Sequence, residues 1–298
     1  MASERKTLRI YAVANNKGGV GKTTTAANLA YGLSRKLIGS DNRPTGHVLL
    51  VDLDPQGNAA DSLGLRGLVY DSVRNPEGAC ISQLLTGRRD LRGVVKSTNH
   101  DGANRPNLFL IPASRELEGA AEELLLQDFQ AYRGRRREAV SIDESLEYHL
   151  ADALQVFDFI VVDCPPKLDT LKRAVYRFAD AVIVPVQAHF MAAMGARQHT
   201  DDIFLMRDEG LQIEIGMIVP TVYDRRQVMA QEMLENLIKA YGRQMVAEPI
   251  PNNVTVKEAP ALGLTVLEYE PDSQGGRAYQ KLVDRIYHDV GRTVNQPA

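Results

Sequence analysis

Short apolar runs recur along the chain at Leu8–Ala14, His47–Asp52, Leu108–Ile111, Phe157–Asp163, Ala181–Val186 and Ile213–Val219. Few polar residues interrupt them, which is the pattern of strands covered on both faces rather than the alternation of a half-exposed sheet. Between the runs lie stretches with helical spacing, at Thr23–Leu37, Ser114–Gln127, Leu168–Phe178 and Met191–Asp208. Buried strands separated by helices long enough to cross back over a sheet predict an α/β protein, with a mostly parallel twisted sheet and helices on both faces. Near the end, Leu282, Val283, Ile286, Tyr287 and Val290 form an apolar stripe at helical spacing. Asp284 and Asp289 interrupt the basic face that an anionic membrane surface would need, so the stripe reads as core packing.

No internal repeat or Pro/Ser-rich linker divides the sequence, and residues 1–298 read as one domain. Three stretches read as surface insertions: 39–46, 66–107 and 127–141. The last contains the charge run Arg133–Arg137, which is first a solvated surface and only second a nucleic-acid contact. Composition narrows the class without naming a function. Of 298 residues, 44% are hydrophobic and 24% charged, which suits a globular protein with a real core. No apolar run is long enough to span a bilayer, and Met1–Lys6 leads into the first run without a signal-peptide core. The two cysteines, Cys80 and Cys164, lack metal-type spacing, so a cytoplasmic location is expected. The net charge of −3 decides neither for nor against nucleic acid, because a local basic patch matters more than the total.

Chemistry concentrates where apolar runs end. After the first run comes Lys17-Gly-Gly-Val-Gly-Lys-Thr23, which opens the first helix. Gly18, Gly19 and Gly21 let backbone N–H groups turn inward toward an anion, and the helix start adds its positive dipole end. Lys22 would reach the β- and γ-phosphates of a nucleotide, and the Thr23 hydroxyl would ligate Mg²⁺. Where the general phosphate-loop pattern begins with glycine, this chain has Asn16. The second run delivers Asp52-Leu-Asp54-Pro-Gln-Gly-Asn58, and alternation along an extended chain would turn Asp52 and Asp54 to the same side, toward that loop. The competing reading makes them caps of the next helix. The fourth run ends in Asp163-Cys-Pro-Pro166, placing Asp163 at the carboxyl end of a buried strand, where open α/β sheets bind ligands. Cys164 reads as a small buried residue rather than a nucleophile or cluster ligand.

These boxes resemble the P-loop NTPase fold in its ParA/MinD branch, whose deviant Walker A motif carries a second, signature lysine, here Lys17. The resemblance implies ATP and Mg²⁺ as ligands, sandwiched between two subunits, with Lys17 reaching the partner's nucleotide and Lys22 and Asp54 completing the catalytic set. It implies nucleotide contacts from Gly18, Gly19, Val20, Gly21, Lys22, Thr23 and Thr24, and a Mg²⁺ shell from Thr23 with Asp52 and Asp163, the aspartates acting through water. The stretches Pro220–Asp224, Ile250–Asn253 and Glu258–Pro260 resemble ParA/Soj-type partition ATPases and mark Thr221, Pro251 and Asn252 as base-pocket candidates. Because about seven residues precede the first strand, the resemblance is to the small form without a helix-turn-helix domain. It implies an ATP-dependent homodimer that binds DNA without sequence preference, associates with the nucleoid and is released by a ParB-like stimulator, with no membrane partner. Intrinsic turnover is expected to be slow. Arg207, Arg225, Arg226, Arg243 and Arg277 are the DNA-binding candidates, with Lys257, Lys281 and Arg285 as possible extensions. The same engine could instead position another large cargo or, in the MinD manner, act on a membrane surface.

Overall fold

The computed structural model describes residues 9–100, 102–134, 140–167, 170–188 and 192–294. Seven strands form one sheet: β1 (Arg9–Val13), β2 (Val48–Asp52), β3 (Lys96–Ser97), β4 (Leu108–Ile111), β5 (Phe159–Asp163), β6 (Ala181–Gln187) and β7 (Glu214–Thr221). Their spatial order is β3-β4-β2-β5-β1-β6-β7, and every pairing is parallel except β3 with β4.

Alternation along the strands divides the core in two. Ile10, Ala12, Leu49, Val51, Ile160, Val162, Val182 and Val184 pack on one face, with Leu117, Leu124, Val175, Ile203, Met233 and Leu237 from four helices. Tyr11, Val13, Val48, Leu50, Phe159, Val161, Ala181 and Ile183 pack on the other, against helices Lys22–Lys36 and Gln274–Val294. The expected α/β architecture with helices on both faces is therefore present. Each fully buried Val, Leu or Ile contributes about 1.5–3 kcal/mol, so the near-continuous apolar runs are what these central strands require.

The last helix lies on the first, and Leu282, Val283 and Ile286 are buried there. Gly32 permits the close approach, because a Cβ on it would sit 2.3 Å from Val283 Cγ2. The apolar stripe is core, as expected, up to Tyr287, which packs at the margin.

Several boundaries differ from the sequence reading. Leu8, Leu168, Met191 and Arg135–Arg137 lie outside the described residues. The helices expected at Leu168 and Met191 run over Lys172–Phe178 and Ala192–Asp208, and the one expected at Ser114–Gln127 runs over Glu116–Gly134. Strand β3 and the helix Val228–Tyr241 were not foreseen: β3 is two residues long, and the helix buries only Ala230, Met233 and Leu237. The stretch 66–107, expected as a surface insertion, is partly core. Cys80, Ile81, Leu84, Leu85 and Val94 are buried, and so is Arg105.

Parallel pairing brings the carboxyl ends of β2, β5 and β1 to one edge of the sheet, where the chain turns from connections on one side of β1 to connections on the other. That reversal opens a crevice at the strand ends.

Candidate functional site

Beyond β1 the chain loops through residues 14–21 into the helix Lys22–Lys36. Gly19 and Gly21 have φ of 73° and 81°, left-handed values that side chains other than glycine rarely take. Gly21 occupies the N-cap with no side-chain bond to the first turn, leaving those N–H groups facing the loop for an anion. The loop is held from three directions. Asn15 Nδ2 donates to the Pro185 carbonyl of β6 at 2.7 Å, while Asn15 Oδ1 accepts the Lys17 N–H at 3.0 Å. The Thr221 hydroxyl at the end of β7 donates to the Val20 carbonyl at 2.8 Å, and the Val20 side chain is buried. Lys22 folds under the loop and donates from Nζ to the Lys17 carbonyl at 3.0 Å. Burial pushes its amine pKa down, and the nearby Asp163 and Asp54 carboxylates pull it back up. Lys17, five residues earlier, is exposed.

Register places the carboxylates side by side, with Val13 opposite Asp163 and Asp163 opposite Asp52. Asp52 is fully buried and uses both oxygens locally, accepting the N–H of Asp54 at 2.9 Å and of Ala59 at 3.2 Å. It therefore does cap the turn into the helix Asn58–Ser62, the competing reading of this residue. Asp163 is equally buried, yet neither of its oxygens has a hydrogen-bond partner of normal geometry among the described residues. Burial drives its pKa up, while the neighbouring Thr23 hydroxyl and Lys22 draw it down. Burial and then Asp163 raise that of Asp52.

The alternation argument for Asp54 is corrected, because β2 ends at Asp52. Asp54 reaches the site from the turn, where its Oδ1 accepts the Gln56 N–H at 3.0 Å. It still lines a cleft of about 650 Å³ with Gly19, Gly21, Lys22, Thr23, Thr24 and Pro166. An orphaned buried carboxylate beside a threonine hydroxyl fits a hydrated Mg²⁺. Thr23 and Asp163 would hold the ion, with Asp52 behind them. A bound Mg²⁺ neutralises phosphate oxygens and polarises the bond to be broken.

A second cleft of about 310 Å³ adjoins the loop, lined by Gly19, Gly21 and Thr24 on one side and by Thr221, Pro251 and Asn252 on the other. The three base-pocket candidates are thus brought together. Val222, Val256, Lys257, Pro260 and Tyr279 also line it; Val222 and Pro260 fall in stretches that carry the family resemblance, whereas no sequence signal singled out Val256, Lys257 or Tyr279 for this place. Lys257, considered as a DNA-facing cation, is exposed and lines this cleft. Val222 has φ of 52°, a left-handed conformation that costs a β-branched residue on the order of 1–3 kcal/mol. It is braced by Tyr223 N–H donating to Ile250 O at 3.0 Å and Asn252 N–H donating to Tyr223 O at 2.9 Å.

The five arginine candidates are all exposed but do not form one cluster. Arg207 lies at the amino edge of the sheet beside Arg9, Asp180 and Glu214. Arg243 follows the helix Val228–Tyr241. Arg225 and Arg226 lie past the carboxyl end of β7, and Arg226 forks onto Asp224 at 2.9 and 2.8 Å. Arg277, in the first turn of the last helix, donates to the Asp272 carbonyl. Cys80 and Cys164 are both buried and free, and no metal-binding cluster of His, Cys, Asp and Glu occurs among the described residues. No helix among them is long and apolar enough to cross a membrane.

A cradle of inward N–H groups backed by a buried lysine and an unsatisfied carboxylate suits a metal-bound polyphosphate, and the molecule is a P-loop ATPase that works with ATP and Mg²⁺. A family model described as an AAA domain matches residues 8–216. The chain is 36% identical to the chromosome-partitioning ATPase Soj of Treponema pallidum, covering 91% of this chain and 94% of that protein. It is 33% identical to the chromosome partitioning protein ParA of Caulobacter vibrioides, covering 94% of each. The cobyrinic acid a,c-diamide synthase of Mycobacterium smegmatis, solved with an ATP analogue and magnesium, superposes with a TM-score of 0.72 at 27% identity, covering 98% of this chain and 99% of that one. The chain belongs to the ParA/Soj family of partition ATPases.

Proposed function

We propose that this ATPase is an ATP-dependent dimer that binds DNA without sequence preference, associates with the nucleoid, and segregates a plasmid or chromosome. The observation that carries the reading is the division of labour between two lysines. Lys22 is buried beneath its own loop, whereas Lys17 is anchored through its backbone and is exposed. A cation so placed is available to a nucleotide on a second subunit, where it would neutralise charge developing on the γ-phosphate. Asp54, in the cleft beside Lys22 and Thr23, would orient the attacking water.

Hydrolysis that waits for a partner subunit is intrinsically slow, and a ParB-like protein would accelerate it. Pairing two subunits doubles the basic surface presented to DNA, so ATP can switch binding through bivalency alone. Arg207, Arg225, Arg226, Arg243 and Arg277 are the proposed contacts, with Arg226 exchanging Asp224 for phosphate.

The test is binding to a random-sequence duplex with ATP, ADP or no nucleotide across a salt series. Binding is expected only with ATP, and its logarithm should fall against log salt with a slope of about 0.9 per phosphate neutralised. Lys22→Ala should lose ATP binding, while Lys17→Ala should bind ATP without dimerising. ATP-independent DNA binding, or none in any state, would refute the reading.

A further inference from the structure

Asn16 stands where the general phosphate loop has glycine, and the ATP site itself gives it no work. Its side chain instead faces a polar network running into the protein. Asn16 Nδ2 donates to Asp202 Oδ2 at 3.2 Å, and the same oxygen accepts from Lys172 Nζ at 2.7 Å. Asn16 Oδ1 lies 3.3 Å from His199 Nδ1, and His199 Nε2 lies 3.2 Å from the Tyr176 hydroxyl. His199 and Tyr176 are 1% and 0% exposed.

The direction of every bond follows from its ends. Asp202, paired with Lys172, only accepts, so the Asn16 amide must turn its nitrogen to Asp202 and its oxygen to His199. The Asn16 oxygen only accepts, so His199 carries its proton on Nδ1. Nε2 then accepts from the Tyr176 O–H. Burial, reinforced by Lys172, pushes the imidazole pKa down to about 4, so the ring is neutral and offers one donor and one acceptor. The network thus has a single orientation, and it joins the start of the loop to the helices Lys172–Phe178 and Ala192–Asp208.

Three constraints consequently converge on residue 17. Its N–H is held by Asn15, its carbonyl by Lys22, and the side chain before it by His199 and Asp202. We propose that Asn16, oriented by His199 and Asp202, is a positioning residue that fixes the direction in which Lys17 leaves the loop before the second subunit arrives. The inference rests on the trans role of Lys17 proposed above. Its physical content is preorganisation: a cation already aimed loses less freedom on dimerisation than one that must be found.

The test compares Asn16→Ala, His199→Asn and His199→Gln with Lys17→Ala, measuring ATP-driven dimerisation by sedimentation and ATP affinity of the monomer. The asparagine amide nitrogen takes the place of Nδ1 and keeps the bond to Asn16, whereas the glutamine amide reaches toward Tyr176 and loses it. Asn16→Ala and His199→Gln should weaken dimerisation at least about tenfold, with monomer affinity within about threefold of wild type. His199→Asn should dimerise nearly as wild type. Normal dimerisation by Asn16→Ala beside a defective Lys17→Ala overturns the inference and leaves the sandwich intact, as does equal behaviour of the two His199 variants. Normal dimerisation by Lys17→Ala overturns the sandwich, and the inference with it.

Discussion

Asp52 and Asp163 end neighbouring strands in the same register, are equally buried, and lie in surroundings of opposite kind. The region after β2 satisfies itself. Its carboxylate accepts two N–H groups of its own turn, and the short helix beyond it is fixed by Arg105, which donates to the Leu63 carbonyl at 2.9 Å, to the Gly263 carbonyl at 2.8 Å and to both Glu268 oxygens. The region after β5 gives its carboxylate no hydrogen bond of normal geometry among the described residues, only the neighbouring Thr23 hydroxyl and the Lys22 charge. The contrast teaches that burial of a charge does not mark a ligand site. Burial without a partner does, because the missing interaction has to come from outside the chain.

The largest expected effect sharpens the self-satisfied side. Arg105→Ala should cost about 3–5 kcal/mol in chemical denaturation, because it removes the buried cation paired with Glu268, leaves that carboxylate only its Thr265 donors and takes the Arg105 donor from the Gly263 carbonyl. A loss below about 1 kcal/mol would mean that the region is not fixed as described. Next, Asp163→Asn should lower Mg²⁺-dependent ATP hydrolysis by at least about 100-fold, close to 3 kcal/mol of transition-state stabilisation. Without nucleotide the same variant should be at least as stable as wild type, since it relieves a buried charge that Thr23 and Lys22 offset only in part. Destabilisation in that state would break the comparison. Asp52→Ala should behave in the opposite sense and lose about 2 kcal/mol without nucleotide, because two buried N–H groups are left unmet.

The smallest effect lies across β1 and appears with pH. His199 has a depressed folded pKa, so the unfolded chain binds the proton more readily. The stability that the neutral ring contributes is present above the unfolded value of 6.5 and is lost as pH falls toward about 4. Wild type should lose about 1–2 kcal/mol between pH 7 and pH 5 on this account, and His199→Asn should flatten that part of the curve. An unchanged slope would show that the ring is not held neutral.

Much of this was legible before the structure. Unbroken apolar runs located the central strands because both faces of those strands are covered, and Gly18–Thr23 announced a phosphate loop because its work is done by local backbone. What depends on remote partners was not legible. Nothing in the sequence pairs Arg105 with Glu268, 163 residues away, or tells Asp52 from Asp163, since both are acids at strand ends. Asn16 was visible as a departure from pattern, but its partners are 183 and 186 residues distant. Strand β3 carries no apolar run, and Val222 betrays its backbone conformation in no neighbouring residue.

The outer margin of β7 has a consequence for assembly. Ile218 exchanges backbone bonds with Met245 and Ala247, the Ile250 N–H donates to Pro220, and the Tyr223 N–H donates to Ile250, so the segment 245–250 runs along the strand as a hem. At the opposite margin β3 offers only two residues. A sheet finished in this way has little free ladder onto which another chain could graft a strand. Any association between copies would therefore rest on side-chain faces rather than on shared strands. The fold thus favours reversible assembly over the persistent kind that open sheet edges invite.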